Sequence, residues 1–561
     1  MDSKALIDVL YSTGYSVSYD EVRRFVTSVA KDQLSQSEIY LPRGISAFQE
    51  QDPNSVVDAA IDNFDTNEDT LNGKSSTHSM AVVLYQRNSN PSDVASVPRT
   101  VAKSLNVSEY KGAFVQRYAK PHKQPEPPRA SSLDIFKVTK DDSSYLSSLV
   151  KDLIWQLTRK VGGDTSSVPA WSGYNALLSD LDLPGTTIRY LPFIPAPPSD
   201  FSTIYSTLLK LVAVAESLGQ GHILVTADLA IYSKAEQILW SRPQQLEGKV
   251  TMRLGGMHLI MAYVASIGKL FGDGGLMDIM ASSGLFATSS AAALLQGKHY
   301  ARGLRGLRIV HEAMMHIFLA SAESYAKTKG LPWIDDETAS LLKELDIGFQ
   351  EQDKEVLKKV YRNVESRIPV VLDVLSQFKQ DGRKQSATFA FWDSFLEAVA
   401  ILLRLLRADR EADFPLHLNA VLEAVPFFFL AGRVNYSRYA PVYVLEMKLL
   451  ESTQPAMYEH LMRGGFVVRR KTETTFNCVP TDQALEQTIN REAKSEGGII
   501  GFTLRKGALL RWLLTRNITG EYTEAYKTMC LSKHEIAVHE ELGKSRLSRD
   551  LVTSPKSKNT S

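Results

Sequence analysis

Three short acidic segments lie far apart in this chain of 561 residues, and each is typical of a metal-binding carboxylate. Asp62 and Asp65 follow an apolar, strand-like run. Asp228 ends the run Ile-Leu-Val-Thr-Ala-Asp, and Glu486 lies in the helix-like segment Asp-Gln-Ala-Leu-Glu. Carboxylates are ligands that Mg²⁺ and Mn²⁺ prefer. If the segments converge, they predict a site for two divalent cations, which would activate an attacking oxygen and stabilise a leaving one.

Each acid also has an ordinary structural explanation when it is taken alone. An aspartate at a strand-to-helix turn commonly caps the helix, so Asp228 could be the N-cap of the helix that begins at Leu229. Asp62 and Asp65 could form turns beside Asn63. The three segments therefore predict a metal site only as a set.

Glu486 has the most informative surroundings. Asp482 lies four residues before it on the same face of the predicted helix, with Asn490 nearby. Two acids on one face repel each other unless a cation or a basic side chain, such as Arg491 or Lys494, lies between them. A solvated helix face is the alternative. In the metal-site hypothesis, Asp482 and Asn490 support a site built around Glu486.

Two basic stretches have the character of phosphate-contacting patches. Residues 298–308 place cations on a face with apolar residues behind it, and residues 463–471 precede the helix of Glu486. Such side chains neutralise DNA phosphates. The candidate nucleic-acid contacts are Lys298, Arg302, Arg305, Arg308, Arg469 and Arg470. A solvated helix face is the alternative explanation for each stretch.

Composition and the remaining motifs exclude several classes of protein. The net charge is only +1, so any nucleic-acid surface must be a local patch. Two cysteines exclude a disulfide framework and fit a reducing, intracellular compartment. His311 and His316 are five residues apart, whereas a helical zinc-protease pair is four apart. The N-terminus lacks a signal peptide, and the most apolar helix candidate, residues 395–406, is too short for a membrane span. We therefore expect no membrane association.

Hydrophobic periodicity predicts an α/β fold in which helix dominates. Residues 187–254 alternate strand, helix, strand, helix, strand with short loops, which is typical of parallel crossover connections. Asp228 follows the middle strand of this set, and such sheets bind ligands at the carboxyl ends of their strands. Residues 56–61 and 80–86 predict a hairpin with acids at its mouth. From about residue 259 to about residue 462 the pattern is almost wholly helical.

These patterns also predict the domain organisation. We expect an N-terminal helical segment at 1–45, an α/β core at 50–262 completed by 475–505, a loop-rich excursion at 87–132 within that core, a helical insertion at 263–465, a C-terminal helical segment at 506–543 and a disordered tail at 544–561.

Taken in order, the segments resemble a large, mostly uncharacterised family of metazoan proteins that look like mobile-element products. The resemblance is carried by Ile61-Asp-Asn-Phe-Asp, Val225-Thr-Ala-Asp-Leu-Ala-Ile-Tyr, Arg253-Leu-Gly-Gly-Met-His, Gly297-Lys-His-Tyr-Ala-Arg, Phe391-Trp, Asn435-Tyr and Asp482-Gln-Ala-Leu-Glu. It extends from about residue 15 to about residue 530. The resemblance implies that the protein originated from a mobile element. Because that family is poorly characterised, the resemblance implies little about activity.

The order of elements is also similar to that of ribonuclease-H-like (Asp-Asp-Glu) transposases. In those enzymes one aspartate lies on the first strand, a second ends the fourth, and a glutamate lies on a helix after an insertion. The resemblance implies Asp62 (or Asp65), Asp228 and Glu486 as catalytic and metal-binding residues, with His258 as a supporting histidine. It further implies a ribonuclease-H-like sheet interrupted by a large all-helical insertion, two Mg²⁺ or Mn²⁺ ions, DNA as the substrate and a nuclear location.

The sequence therefore predicts a transposase-like or transposase-derived DNA strand transferase or nuclease. The alternative is a catalytically inactive, domesticated or truncated copy whose helical insertion serves for protein interaction or homo-oligomerisation. The near-zero net charge and the lack of a recognisable zinc finger before the core favour the alternative. The three acids favour the enzyme.

Overall fold

The structure, a computed structural model, describes residues 4–35, 39–67, 76–87, 99–105, 115–122, 143–241, 243–470, 475–491, 507 and 510–517. It confirms a mixed α/β fold in which helix dominates. Some expectations lie outside the described residues. They are the tip of the first hairpin, most of the excursion at 87–132, most of the C-terminal segment at 506–543 and the whole tail at 544–561.

One five-stranded mixed sheet organises the α/β part. Its strands are β1 (Val57–Asn67), β2 (Ser76–Arg87), β3 (Thr186–Ile194), β4 (Ile223–Ala227) and β5 (Val250–Leu254). They lie in the order β3-β2-β1-β4-β5, so β1 is central. β2 is antiparallel to β1 and β3, whereas β4 is parallel to β1 and β5. The predicted pairing of the first two strands is confirmed.

Helices make up most of the remaining described chain. In order they are α1 (Lys4–Ser12), α2 (Tyr19–Ser35), α3 (Ser143–Gly162), α4 (Trp171–Leu178), α5 (Phe201–Ser217), α6 (Leu229–Trp240), α7 (Gly256–Phe271), α8 (Met277–Ser282), α9 (Thr288–Leu295), α10 (Tyr300–Lys329), α11 (Asp336–Glu351), α12 (Lys354–Glu365), α13 (Ile368–Gln385), α14 (Ala387–Glu411), α15 (Phe414–Leu430), α16 (Val434–Thr453), α17 (Pro455–His460) and α18 (Thr481–Leu485). Two short strands, β6 (Val467–Val468) and β7 (Val479–Pro480), pair before α18. A π-helical turn, Glu486–Asn490, extends α18.

The alternation of β3, α5, β4, α6 and β5 confirms the pattern predicted for residues 187–254. All five residues of β4 are buried, as expected for an apolar strand between two parallel neighbours. After α5, Gly219 has a φ of 79°, a left-handed conformation that glycine adopts without a steric penalty. Local signals therefore determine these elements.

The two faces of the sheet belong to different apolar cores. Ile61 of β1 faces the large core that the sheet shares with most of the helices, whereas Phe64 packs in a smaller cluster with Ile489. Because side chains alternate along a strand, Asp62 lies on the same face as Phe64. The helical turn that carries Glu486 therefore covers the face onto which Asp62 projects.

One helical stretch corrects the sequence analysis. Within the described residues, Gly256–Ser282 has the length and apolar composition of a membrane span when α7, the kinked π-helical turn Gly272–Leu276 and α8 are taken together, whereas the sequence analysis considered only residues 395–406. However, 56% of its most apolar window is buried inside the protein. A buried core helix meets the same criteria, so no membrane association is indicated.

Candidate functional site

Two of the predicted acids lie side by side on the sheet. Ile61 of β1 pairs with Ala227 of the parallel strand β4, so the next residues, Asp62 and Asp228, occupy matching positions where β4 ends. Asp62 is only 5% exposed. The sheet thus brings together two carboxyl groups that are 166 residues apart (228 − 62) in the chain.

Asp228 also has the structural role that was its alternative explanation. Its Oδ1 accepts a hydrogen bond of 2.9 Å from the backbone N–H of Ile231, so it is the N-cap of α6. This bond uses one of the two carboxylate oxygens. A capping role and a place beside Asp62 are therefore compatible.

Glu486 lies on the helical turn that covers the face of β1 carrying Asp62. It begins the π-helical turn after α18, and Leu485 and Ile489 anchor this segment in the apolar cluster that contains Phe64. The Glu486 side chain is partly exposed, and no hydrogen bond fixes its carboxylate within the described ranges. Its negative charge acts on Asp62, which places both acids in one electrostatic environment.

Asn490 connects this turn directly to the sheet. Its Nδ2 donates to Asp62 Oδ2 at 3.3 Å, and the backbone N–H of Asn63 donates to Asp62 Oδ1 at 2.7 Å. Asn490 is fully buried, yet its Oδ1 has no hydrogen-bond partner among the described residues. A buried amide oxygen without a donor is costly, and it belongs to the same amide group that contacts Asp62, so it is a potential ligand atom.

Asp482 and His258 form a hydrogen-bonded pair beside the acids. Asp482 accepts hydrogen bonds from the backbone N–H groups of Met257 and His258 at 3.1 Å each, and His258 Nδ1 lies 3.0 Å from Asp482 Oδ2. These contacts place a carboxylate at the N-terminus of α7, where the helix dipole favours negative charge. A Cβ at Gly255 would collide with Asp482, so glycine is required there.

The surroundings of Asp62 and His258 raise the pKa values of both side chains. Burial raises the pKa of Asp62 to about 8; the charges of Glu486 and Asp228 add to the rise, and His258 opposes it. Burial alone would lower the pKa of His258, but its hydrogen bond to Asp482 and the surrounding acids raise it to about 9. At neutral pH the site therefore holds a protonated Asp62 beside an imidazolium, which is typical of crowded carboxylates without a cation.

The acids do not form a ready-made metal centre. Within the part of the chain that the structure describes, no three Asp, Glu, His or Cys side chains meet closely enough to hold one ion. The donor chemistry of this region suits a hard cation, since its oxygen ligands would be three carboxyl groups and the unpartnered amide oxygen of Asn490. Binding would require the carboxylates to move closer together.

The structure places Asp65 apart from this group. It lies on the opposite face of β1 from Asp62, and its carboxylate contacts His78 Nδ1 at 2.6 Å and accepts from Asn63 Nδ2 at 2.8 Å. Its side chain is 45% exposed. Strand alternation thus separates the two acids, and the prediction of Asp65 as a metal ligand beside Asp62 is wrong.

The basic candidates divide into exposed and structural residues. Lys298, Arg302, Arg305 and Arg470 are exposed. Arg470 donates to Gln487 Oε1 at 2.7 Å, next to Glu486.

The structure contradicts the prediction that Arg308 and Arg469 contact nucleic acid. Arg308 donates to Ser172 Oγ at 2.7 Å and lies 5.9 Å from the ring centre of Trp171. Arg469 is buried, and its guanidinium donates to Asn477. Both guanidinium groups are used within the protein, so neither is available as a phosphate contact.

The sequence analysis named Asp228 and His258 but gave no role to the other residues that line a cavity beside the acids. A cavity of about 290 Å³ is lined by Asp228, His258, Ser233, Asn435 and Tyr436, among others. Asn435-Tyr436 was part of the family resemblance, but no pattern indicated a role for it. These two residues start α16, which is 207 residues (435 − 228) from Asp228 in the chain.

Comparison with known proteins yields one family and no activity. A family model described as a domain of unknown function, DUF8702, matches residues 170–559, which is 390 of the 561 residues. Asp228 and Glu486 lie inside the matched region, and Asp62 lies before it. No curated protein and no solved structure matches the chain. The chain therefore belongs to the DUF8702 family, whose function is unknown.

Proposed function

We propose that this protein is a metal-dependent DNA nuclease or strand transferase of the transposase type. The observation that supports the proposal is that the charges of Asp228 and Glu486 both act on the buried Asp62 at one end of the sheet, although 166 and 258 residues (486 − 228) separate the three acids in the chain. Nearby like charges disfavour the ionised form of a buried acid, so keeping all three acids in this region favours a functional role over a structural one.

The arrangement of elements supports a ribonuclease-H-like fold as part of this proposal. Asp62 lies on the first strand, Asp228 follows the fourth, and Glu486 lies on a helical turn that comes after a long series of helices. These are the positions that the resemblance to ribonuclease-H-like transposases implied. The sheet has five strands and begins with the antiparallel pair β1 and β2 that the sequence predicted.

The carboxyl groups would hold one or two Mg²⁺ or Mn²⁺ ions in the active protein. Such ions supply a nucleophilic oxygen at neutral pH and stabilise charge on the leaving oxygen. Asp62 would release its proton on binding, Asp228 would use the oxygen that the helix cap does not need, and Glu486 is free to reorient. Asn490 would hold Asp62 in place through its present hydrogen bond.

The surrounding cations would position the DNA backbone. His258 has a pKa of about 9 and so carries a positive charge at neutral pH, next to the acids. Asp482 orients its ring through Nδ1, which leaves Nε2 to donate to a phosphate. The exposed side chains of Lys298, Arg302 and Arg305 would provide weaker, sequence-independent contacts. A protein with this activity would work in the nucleus.

A catalytically inactive scaffold is the second candidate, and one observation favours it. In the described ranges the acids do not stand at metal-ligand spacing, and Asp228 is already engaged as a helix cap. A domesticated protein could keep these residues for folding alone. The helices from α8 to α17 would then provide an interaction surface.

Cleavage of supercoiled plasmid DNA by the purified full-length chain distinguishes the two candidates. We expect nicking in Mg²⁺ or Mn²⁺ and none in EDTA. Asp62→Asn, Asp228→Asn and Glu486→Gln should each reduce the cleavage rate by more than about 100-fold. Mutation of residues that only support metal ligands typically reduces affinity or activity by about 10–100-fold, and loss of a ligand itself should cost more. Asp228→Asn keeps a capping oxygen, so its fold should survive.

Asp65→Asn is the matched control. It changes the same residue type on the same strand, but its side chain projects from the opposite face and is 45% exposed, so the rate should be unchanged. Calorimetric titration with Mg²⁺ gives a readout that does not depend on turnover. A wild-type protein that neither binds Mg²⁺ at pH 8 nor nicks DNA would support the scaffold instead.

A further inference from the structure

The cavity beside Asp228 has a wall with one aromatic ring and several hydrogen-bonding groups. α6 contributes Asp228 and Ser233, α7 contributes His258, and the first turn of α16 contributes Asn435 and Tyr436. In the described part of the chain, Asp228 is the one acid of the proposed catalytic set that lines it. The cavity therefore adjoins the carboxylate site and is not the same space.

The Tyr436 ring at this cavity is supported by a second aromatic ring. Its ring stacks on Phe428, with the ring centres 5.0 Å apart and the planes 21° from parallel. Phe428 is fully buried, so it supports one face of Tyr436 from the core. Because Tyr436 also lines the cavity, a planar group that enters can stack against it and continue the pair. Offset stacking of this kind favours aromatic ligands.

The size and polarity of the cavity suit a single nucleobase. A volume of about 290 Å³ accepts one ring system with its sugar but excludes a base pair within a duplex. Aromatic side chains bind any base through its π face, and amide or hydroxyl groups then contact its edge. The exposed Asn435 amide can donate and accept for this purpose, and the Ser233 hydroxyl, which donates to the Ala230 carbonyl at 3.2 Å, can still accept. Arg433, exposed at the start of α16, adds a positive charge for the adjoining phosphate.

We propose that this cavity receives one unpaired nucleobase of the DNA substrate, stacked on Tyr436, while the neighbouring phosphate lies at the carboxylates. The inference rests on the proposed nuclease or strand-transferase function and deepens it. It identifies the preferred substrate as DNA with a nucleotide outside the helix, either distorted by the protein or already unpaired. An enzyme that acts on an intact duplex would have no use for an aromatic cavity beside one of its acids.

Fluorescence anisotropy with three labelled DNA duplexes tests this inference. One duplex is fully paired, one has a single unpaired adenine, and one has an abasic site at that position. The full-length Asp62→Asn protein is used so that the DNA is not cut. We expect the tightest binding to the unpaired adenine. Tyr436→Ala should weaken that binding by roughly 5- to 100-fold, the usual range for one stacked base, and leave paired DNA unaffected.

Three further variants separate a loss of stacking from a loss of folding. Tyr436→Phe keeps the ring and should keep the preference. Asn435→Ala changes an exposed residue, so it should fold normally and lose part of the preference for adenine. Phe429→Ala removes an aromatic ring that is 64% exposed and lies outside the cavity, and it should behave as the parent protein.

The outcomes distinguish this inference from the proposed function. If the wild-type protein nicks plasmid DNA, but the Asp62→Asn parent binds unpaired and abasic DNA equally, the cavity does not hold a base and the inference fails alone. An unchanged preference in a folded Tyr436→Ala variant would have the same meaning. If the wild-type protein neither binds nor cuts any DNA, the proposed function itself fails, and the inference fails with it.

Discussion

Replacing Asp62 with asparagine should stabilise the protein, and the gain should grow with pH. The pKa of Asp62 is raised from its ordinary 3.8 to about 8, so the native state keeps its proton at pH 7 while the unfolded chain ionises. The native state thus loses about 1.4 kcal/mol relative to the unfolded chain for each pH unit above 3.8. At pH 7 this amounts to roughly 4 kcal/mol, and relaxation of the site reduces it to about 2–4 kcal/mol.

Asparagine fits the site without a new penalty. Its side-chain oxygen can accept the N–H of Asn63, as Asp62 Oδ1 does now at 2.7 Å. Asn490 now donates its Nδ2 to Asp62 Oδ2, so a half-turn of the Asn490 amide lets the new amide nitrogen donate to Asn490 Oδ1, which has no partner among the described residues. The substitution therefore removes the titrating group and satisfies a buried acceptor.

Thermal unfolding in EDTA from pH 4 to pH 9 measures the effect. The stability contributed by Asp62 is fully present below about pH 4 and is lost as pH rises towards 8. The variant should match the wild type near pH 4 and exceed its Tm by roughly 2–3 °C at pH 8, if the chain unfolds as one unit. Asp65→Asn, at a side chain that is 45% exposed, should produce no such difference. Addition of Mg²⁺ at pH 8 should stabilise the wild type more than the variant.

A difference in Tm that does not depend on pH would refute this reasoning. It would mean that Asp62 is solvated or already paired with a positive charge in the native state. Equal stabilisation of both proteins by Mg²⁺ would separately show that Asp62 is not a ligand.

Three other substitutions test neighbouring parts of the structure. Burial raises the pKa of Glu236 well above its ordinary value, and nearby Glu446 adds to the rise. The stability of the wild type therefore falls as pH increases, and the Tm of Glu236→Gln should fall less than that of the wild type between pH 5 and pH 8. Asp228→Ala should cost about 0.5–2 kcal/mol in urea unfolding, whereas Asp228→Asn should cost little; equal losses would exclude capping as the reason. Asp482→Asn should lower the pKa of His258 from about 9 towards 6.5 in an NMR titration, and an unchanged value would show that the other acids hold the imidazolium.

The elements that position Asp228 were predictable because their signals are local. An apolar run, a capping residue and a short loop identify β4 and α6 without knowledge of the rest of the chain. The choice between Asp62 and Asp65 was not predictable in this way. It depends on which face of β1 is covered by the turn that carries Glu486, and this is a contact between residues more than 400 positions apart.

The basic residues show the same limit. Arg305 and Arg308 look alike in sequence, since both follow the Gly-Leu-Arg pattern. Arg305 is exposed, whereas Arg308 packs on Trp171 and binds Ser172, residues that belong to a different helix. Charge pattern alone identifies cations on a helix. Only the tertiary packing decides which of them face solvent.

The packing of α6 against α16 connects the acid site to the cavity. α6 begins at the Asp228 cap and ends at Trp240, while α16 begins beside Tyr436 and packs Tyr439 against Trp240, with ring centres 6.2 Å apart. Further along, Trp240 Nε1 donates to Glu446 Oε1 at 3.3 Å. A shift of α16 would therefore move Tyr436 relative to Asp228. This coupling is what a site needs if it must hold a base and its phosphate at a fixed separation, and a scaffold would have no need for it.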